Sequence, residues 1–431
     1  MAAGSDPTPI KHMKSFPALT GTDALDTTSM VTLDEVKQAR ERIGEAVVLT
    51  PCGRSETFSK ITGNSVFLKL ENLQMTGAYK ERGALNKILT LTPEERDRGL
   101  IAASAGNHAQ AVSHHATKRG IDAQICMPLA TPLNKVMATR RFGGEVVLHG
   151  ANYDEACDEA RRRSQEFGLT FIHPFDDNAV IAGQGTLGLE ILDQVPDVDV
   201  VITAIGGGGL ISGMACAMKE LNPRIRIVGV QTSRLPSMKA AVMEGCPVTL
   251  PVSSTLADGI AVRRAGDRTL PMVRKYVDDI VTVEEEEIAS AILLLLEREK
   301  TLAEGAGAAS VAALVHHKTS FVGKKVVAII SGGNIDVSIL SRIIERGLAK
   351  DGRRIRLRIH LPDYPGALHN LTGVLAQHRA NIVETSYDRT YFGVDLGHTA
   401  IDLTMETRGS EHVEELLAAL AASNYEVEQI Q

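Results

Sequence analysis

The sequence predicts an α/β protein: two lobes of mostly parallel sheet, then a small βαββαβ unit. Three observations carry this. Between about residues 66 and 330, short apolar runs alternate with helix-length patterns, as strands buried on both faces require. Glycine is in excess, 38 of 431 residues, and gathers where apolar runs stop. Beyond Lys350 the period changes: Ile355, Leu357, Ile359 and Leu361 alternate with Arg356, Arg358 and His360, the mark of a half-buried strand. At roughly 150 residues per domain, the length suggests about three compact units.

Taken in order, residues 1–30 lack the apolar centre of a signal peptide and read as a disordered tail. Thr32, with Glu35 three residues on, predicts a capping box that opens a helix over 33–43. Strands follow at 66–70, 100–103, 122–127, 145–148, 198–205, 225–230, 279–283 and 325–330, with helices at 79–89 and 210–221 among the intervening patterns. The polar segment 349–354 reads as a linker. After it come a strand over 355–361, a helix over 366–378, strands over 382–388 and 399–405, a helix over 411–421 and a strand over 425–430. That order is ferredoxin-like.

Composition excludes several function classes. The net charge of −7, with seven basic against twelve acidic residues from Asp351 onward, argues against binding nucleic acid through phosphates. The longest apolar stretch, 288–296, is far short of the roughly 20 residues a spanning helix needs. The five cysteines are scattered without C-x-x-C spacing, which fits a reducing, cytoplasmic setting and excludes a zinc ribbon.

Four strings carry chemistry. Gly206–Gly209 and Leu210 end one apolar run and open a helix, so the backbone can approach a phosphate at the positive helix end. The spacing is not the dinucleotide fingerprint, and no G-K-[ST] follows, so a phosphate-bearing cofactor other than NAD or ATP is indicated. Lys80 follows Tyr79 at the start of a helix, among small residues. An apolar first turn lowers an amine's pKa toward the neutral form a Schiff base needs, although a lone lysine is usually a solvated surface residue. Ser104–Ala111 offers small residues and an amide at a helix start, suited to a carboxylate or to plain capping. Ser331–Asn334 supplies a hydroxyl on a flexible turn.

Together these strings resemble the fold-type-II pyridoxal-phosphate enzymes, most closely threonine dehydratases (threonine ammonia-lyases) and their serine racemase and serine dehydratase relatives. The ordered matches are 76–84, 104–108, 173–176, 182–186, 206–210, 257–262, 304–308 and 331–334. The resemblance implies the two-lobed core of the tryptophan synthase β type over 31–349, with a small lobe at about 79–176. It implies pyridoxal 5'-phosphate as cofactor, linked to Lys80, which also takes the α-proton. Asn107 would face the cofactor's 3'-hydroxyl, Gly206, Gly207, Gly208, Gly209 and Leu210 its phosphate, and Ser331 its pyridine nitrogen. Tyr79 and Glu304 complete the cofactor set. Ser104, Ala105, Gly106 and His108 would line the substrate carboxylate. Ala105 replaces a serine that protonates the opposite face in the racemases, which favours dehydration. Gln231 stands where some relatives carry a metal-binding carboxylate, so no metal site is expected.

The unit at 353–431 resembles an ACT domain through Asp363, Pro365, Gly366, Ala367 and Leu368, matching D-x-P-G-x-L, where an amino-acid effector would bind. The implied activity is β-elimination of L-threonine to 2-oxobutanoate and ammonia, with L-serine a second substrate, in a homodimer or homotetramer. The alternatives are another β-hydroxy amino acid such as 3-hydroxyaspartate, a racemase, a β-replacement synthase, or a non-catalytic amino-acid sensor.

Overall fold

The computed structural model describes residues 30–388 and 397–430, so the expected tail lies outside the described residues except for Met30. The chain divides into two compact units, with the boundary between Ile335 and Asp336.

The first unit contains β1 (Cys52–Arg54), β2 (Ser65–Leu70), β3 (Leu100–Ala103), β4 (Ala123–Met127), β5 (Glu145–Leu148), β6 (Thr170–Phe171), β7 (Val200–Ala204), β8 (Arg226–Thr232), β9 (Asp279–Val283) and β10 (Lys325–Ile330). They form two sheets. The larger has the order β1-β2-β10-β7-β8-β9 and is parallel except where β1 meets β2; the smaller, β5-β4-β3-β6, is wholly parallel. All of β3 and β7 and nearly all of β10 are buried, as expected of strands covered on both faces.

The register delivers the site loops to one edge. Lys325–Ile330 pairs residue for residue with Ser65–Leu70, so Glu71 and Ser331 leave neighbouring strands at the same level. In parallel sheets, ligands gather beyond the carboxyl ends of strands. Here those ends release residues 71–80, 104–106, 172–176, 205–208 and 331–334.

Helix starts follow local chemistry. The expected Thr32–Glu35 capping box forms and opens Leu33–Ile43. Gly208 precedes Gly209–Leu221 with φ +99°, and a Cβ there would meet Met238 Cε at 2.6 Å. Glycines also let helices meet closely. A Cβ on Gly213 would lie 2.1 Å from the Ile181 carbonyl of helix Asn178–Gln194, and one on Gly183 would lie 2.6 Å from the Arg82 carbonyl of helix Lys80–Leu89.

The second unit opens with helix Val337–Lys350, where Arg354 meets Glu345, so the segment read as a linker is largely helix end and turn. Then come β11 (Arg354–Pro362), helix Ala367–Gln377, β12 (Asn381–Asp388), β13 (His398–Glu406), helix Ser410–Ala422 and β14 (Glu426–Gln429). The antiparallel order β12-β13-β11-β14 is the ferredoxin-like one. Ile355, Leu357, Ile359 and Leu361 face its core with Leu371, Leu375, Ile401, Leu403, Leu416 and Leu420.

Candidate active site

Lys80 is the first residue of its helix and remains partly accessible. Its Nζ donates to the Pro174 carbonyl at 2.9 Å and stands 5.3 Å from the Tyr79 ring centroid. Burial outweighs the attraction of Glu304 and pushes the amine down from its ordinary range to about 8.

Four of the sequence strings meet in one network. Asn107 Nδ2 donates to Glu304 Oε1 at 2.7 Å, and Asn107 Oδ1 accepts from Asn334 Nδ2 at 2.8 Å. Asn334 Nδ2 also donates to the Thr76 carbonyl at 2.7 Å. Backbone bonds repeat the joins: Tyr79 N–H to Ser331 O at 3.1 Å, Gly333 N–H to Gly77 O at 2.9 Å, and Glu304 N–H to Gly332 O at 3.1 Å. Space is tight, since a Cβ on Gly332 would lie 2.5 Å from Glu304 Oε1. Burial, reinforced by Asp258, pushes the Glu304 carboxyl up to about 7 against the Asn107 hydrogen bond.

The glycine loop faces the segment after β6. A Cβ on Gly207 would sit 2.4 Å from the Phe175 ring, and one on Gly209 would sit 2.9 Å from Phe175 Cβ. Thr269 Oγ1 donates to the Gly207 carbonyl at 2.6 Å. Thr269 is placed in turn by Asp176, whose carboxylate accepts the N–H groups of Asp267, Arg268 and Thr269. His173 Nδ1 accepts from Phe175 N–H at 3.2 Å and Asp176 N–H at 2.7 Å, folding the 173–176 loop beside Lys80. His173, Asp176 and Thr269 escaped sequence reasoning as positioning residues. The H-P-F-D string held the signal for the first two, whereas Thr269 lies 62 residues from Gly207 and had none.

In the carboxylate loop, Ser104 Oγ accepts from Gly106 N–H at 3.2 Å, and Ala105 packs on the core of the smaller sheet. The buried ring of His108 is turned away to the Ile172 carbonyl, with Nε2 2.9 Å from the oxygen. Burial, helped by Lys80, holds it neutral with a pKa near 3. Its Nε2 is therefore committed to the Ile172 carbonyl.

Beneath Lys80 lies a charge cluster the strings did not reveal. Arg82 is fully buried and grips Glu71 through Nε at 2.7 Å and Nη2 at 2.8 Å; its Nη1 reaches Glu190 at 2.6 Å. Lys69 Nζ meets Glu190 at 2.8 Å. Two cations and two carboxylates therefore neutralise one another and fix the helix that carries Lys80. Burial alone would raise the Glu71 carboxyl, but Arg82 overrides it and holds it low.

Gly366 has φ +95° at the start of its helix, Asp363, Pro365 and Leu368 are exposed, and Ala367 is buried.

An amine near neutrality, a loop that excludes side chains beside a helix start, and a buried amide–carboxylate pair suit a phosphorylated aldehyde cofactor. The family model described as "Pyridoxal-phosphate dependent enzyme" matches residues 43–332. The chain belongs to that family. Within the pyridoxal-phosphate dependent enzymes, it is 48% identical over 398 residues to the L-threonine ammonia-lyase of Thermotoga maritima, covering 92% of this chain and 99% of that protein. Among solved structures, maize serine racemase superposes with a TM-score of 0.70 at 36% identity, over 74% of this chain and 98% of that one. Threonine deaminase isoform 2 of Solanum lycopersicum, in its processed form, gives 0.68 at 37%, over 72% and 88%. Backbone likeness therefore barely separates lyase from racemase in this family, and residue chemistry has to.

Proposed function

We propose that the chain is a threonine ammonia-lyase, converting L-threonine to 2-oxobutanoate and ammonia and L-serine to pyruvate. The observation that carries this is Lys80, an amine held near pH 8 beside the glycine loop and the Asn107–Glu304 pair. The near full-length identity to a protein named for this activity supports it.

In this reading Lys80 would hold pyridoxal phosphate, which would supply an electron sink for the charge left when a Cα–H bond breaks. Gly206–Gly209 and Leu210 hold its phosphate through backbone N–H groups, Asn107 and Ser331 face its ring, and Tyr79 packs beside Lys80. Glu304 holds the Asn107 amide in place. Ser104, Ala105, Gly106 and the His108 backbone orient the substrate carboxylate. Lys80, freed by the incoming substrate, accepts the α-proton. Loss of the β-hydroxyl as water leaves an enamine that hydrolyses to keto acid and ammonia.

Ala105 favours lyase over racemase. Its methyl carries no acidic proton to deliver to Cα, so reprotonation from that residue is blocked. Amino-acid regulation through an ACT-like second unit, a homodimer or homotetramer, and a cytoplasmic setting complete the proposal. A panel of L-threonine, L-serine, D-serine and 3-hydroxyaspartate, assayed for keto acid, ammonia and chirality, tests it. L-Threonine should give equal amounts of 2-oxobutanoate and ammonia at the highest rate. Racemised serine without keto acid would reverse the assignment.

A further inference from the structure

We propose that Glu81, His114 and His115 form a binding site for a divalent cation of the zinc class. The sequence offers no metal-ligand spacing here; the packing of helix Lys80–Leu89 against Asn107–Thr117 creates the group. Among the described residues, one potential ligand atom from each side chain lies within 4.8 Å of the other two. Glu81 Oε2 and His115 Nε2 are 3.4 Å apart. That is the edge of a tetrahedron whose corners lie about 2.0–2.1 Å from its centre, the ordinary zinc–nitrogen and zinc–oxygen length.

A second observation points to a ligand. His115 is wholly buried, yet neither ring nitrogen has a hydrogen-bond partner, since the Glu81 contact falls outside bonding geometry. A buried imidazole whose nitrogens make no well-aligned hydrogen bond is costly, and a cation between it and Glu81 would satisfy it. Glu81 also has the outer anchor that metal carboxylates have, because its other oxygen accepts the Thr76 N–H. His114 is half-buried against Phe142, with ring centroids 5.4 Å apart, and is the most solvent-accessible of the three ligands. The site uses none of the residues assigned to pyridoxal phosphate. Because Glu81 follows Lys80 directly, a bound cation would tie the first turn of the reactive lysine's helix to the neighbouring helix.

The test uses full-length holoenzyme washed with chelator, then titrated with Zn2+ against a chromophoric competitor, and separately with Co2+ followed in the visible. One Zn2+ per chain should bind, and Co2+ should give the intense bands of a four-coordinate nitrogen/oxygen site. His114→Gln, at a half-exposed position that tolerates change, should weaken binding at least ~10-fold, the loss that even outer-shell changes cause. It should also erase the Co2+ bands. Glu81→Gln and His115→Asn should do the same where they fold. Wild-type enzyme that takes up no Zn2+, or a His114→Gln variant that binds as tightly as wild type, would overturn the proposal.

Discussion

Lys80 should titrate where its surroundings put it. A lysine with its pKa lowered to about 8 becomes neutral two pH units earlier than an exposed one. The rate at which cofactor-free enzyme recaptures pyridoxal phosphate should therefore climb through about pH 8 and level above it; a climb centred near 10.5 would show a solvated amine. His108 and His173 set an acid limit. Burial holds them neutral down to about pH 3 and 4, so below the unfolded value near 6.5 the unfolded chain binds protons that the native one refuses. Each then costs about 1.4 kcal/mol per pH unit until its native pKa is reached. Glu304, raised to about 7, works the other way over part of this range, but one group does not cancel two. The urea midpoint should fall steadily from pH 6.5 to 4.5, and a flat profile would contradict the burial of both rings. At this scale Lys80, Asn107 and Ser331 could be singled out because each sits in a short string with its own chemistry, whereas Glu304 came only through the family resemblance. The direction of the His108 ring was not legible, since its partner Ile172 lies 64 residues away, just past β6.

Among elements, close helix contacts and the buried ion cluster hold the lysine's helix in place. Gly213→Ala would drive a methyl into the Ile181 carbonyl, a backbone atom that cannot swing aside. A loss of about 1–3 kcal/mol, read by urea unfolding, is expected. Arg82→Met strands Glu71, leaves Glu190 with Lys69 alone, and should cost about 3–5 kcal/mol, the usual penalty for an uncompensated buried charge. Largely apolar strands such as β7 and β10 were legible because burial on both faces leaves a nearly continuous run. β1 was not, being three residues of mostly exposed Cys-Gly-Arg. β6 was missed because two residues carry no period. The Arg82 cluster escaped because its members come from residues 69 to 190 and meet only in the folded core.

For the whole molecule, the change of period beyond Lys350 foretold a ferredoxin-like unit, whose strand order the structure shows. Its start differs from the sequence reading: the boundary lies at Ile335 and Asp336, because helix Val337–Lys350 packs with β11 rather than closing the first unit. Regulation, as proposed, belongs to this scale. Removing residues 351–431 should abolish the response to added amino-acid effectors while keto-acid release persists; a response that survives would place the effector site in the first unit. The central claim is that Lys80 both holds the cofactor and moves the α-proton in an ammonia-lyase. The most direct measurement compares 2-oxobutanoate formation from L-threonine by wild-type holoenzyme and by Lys80→Ala loaded with excess pyridoxal phosphate. The account predicts stoichiometric 2-oxobutanoate and ammonia from wild type and a fall of about 10²–10⁴-fold or more in the variant. Turnover by Lys80→Ala at the wild-type rate would contradict it.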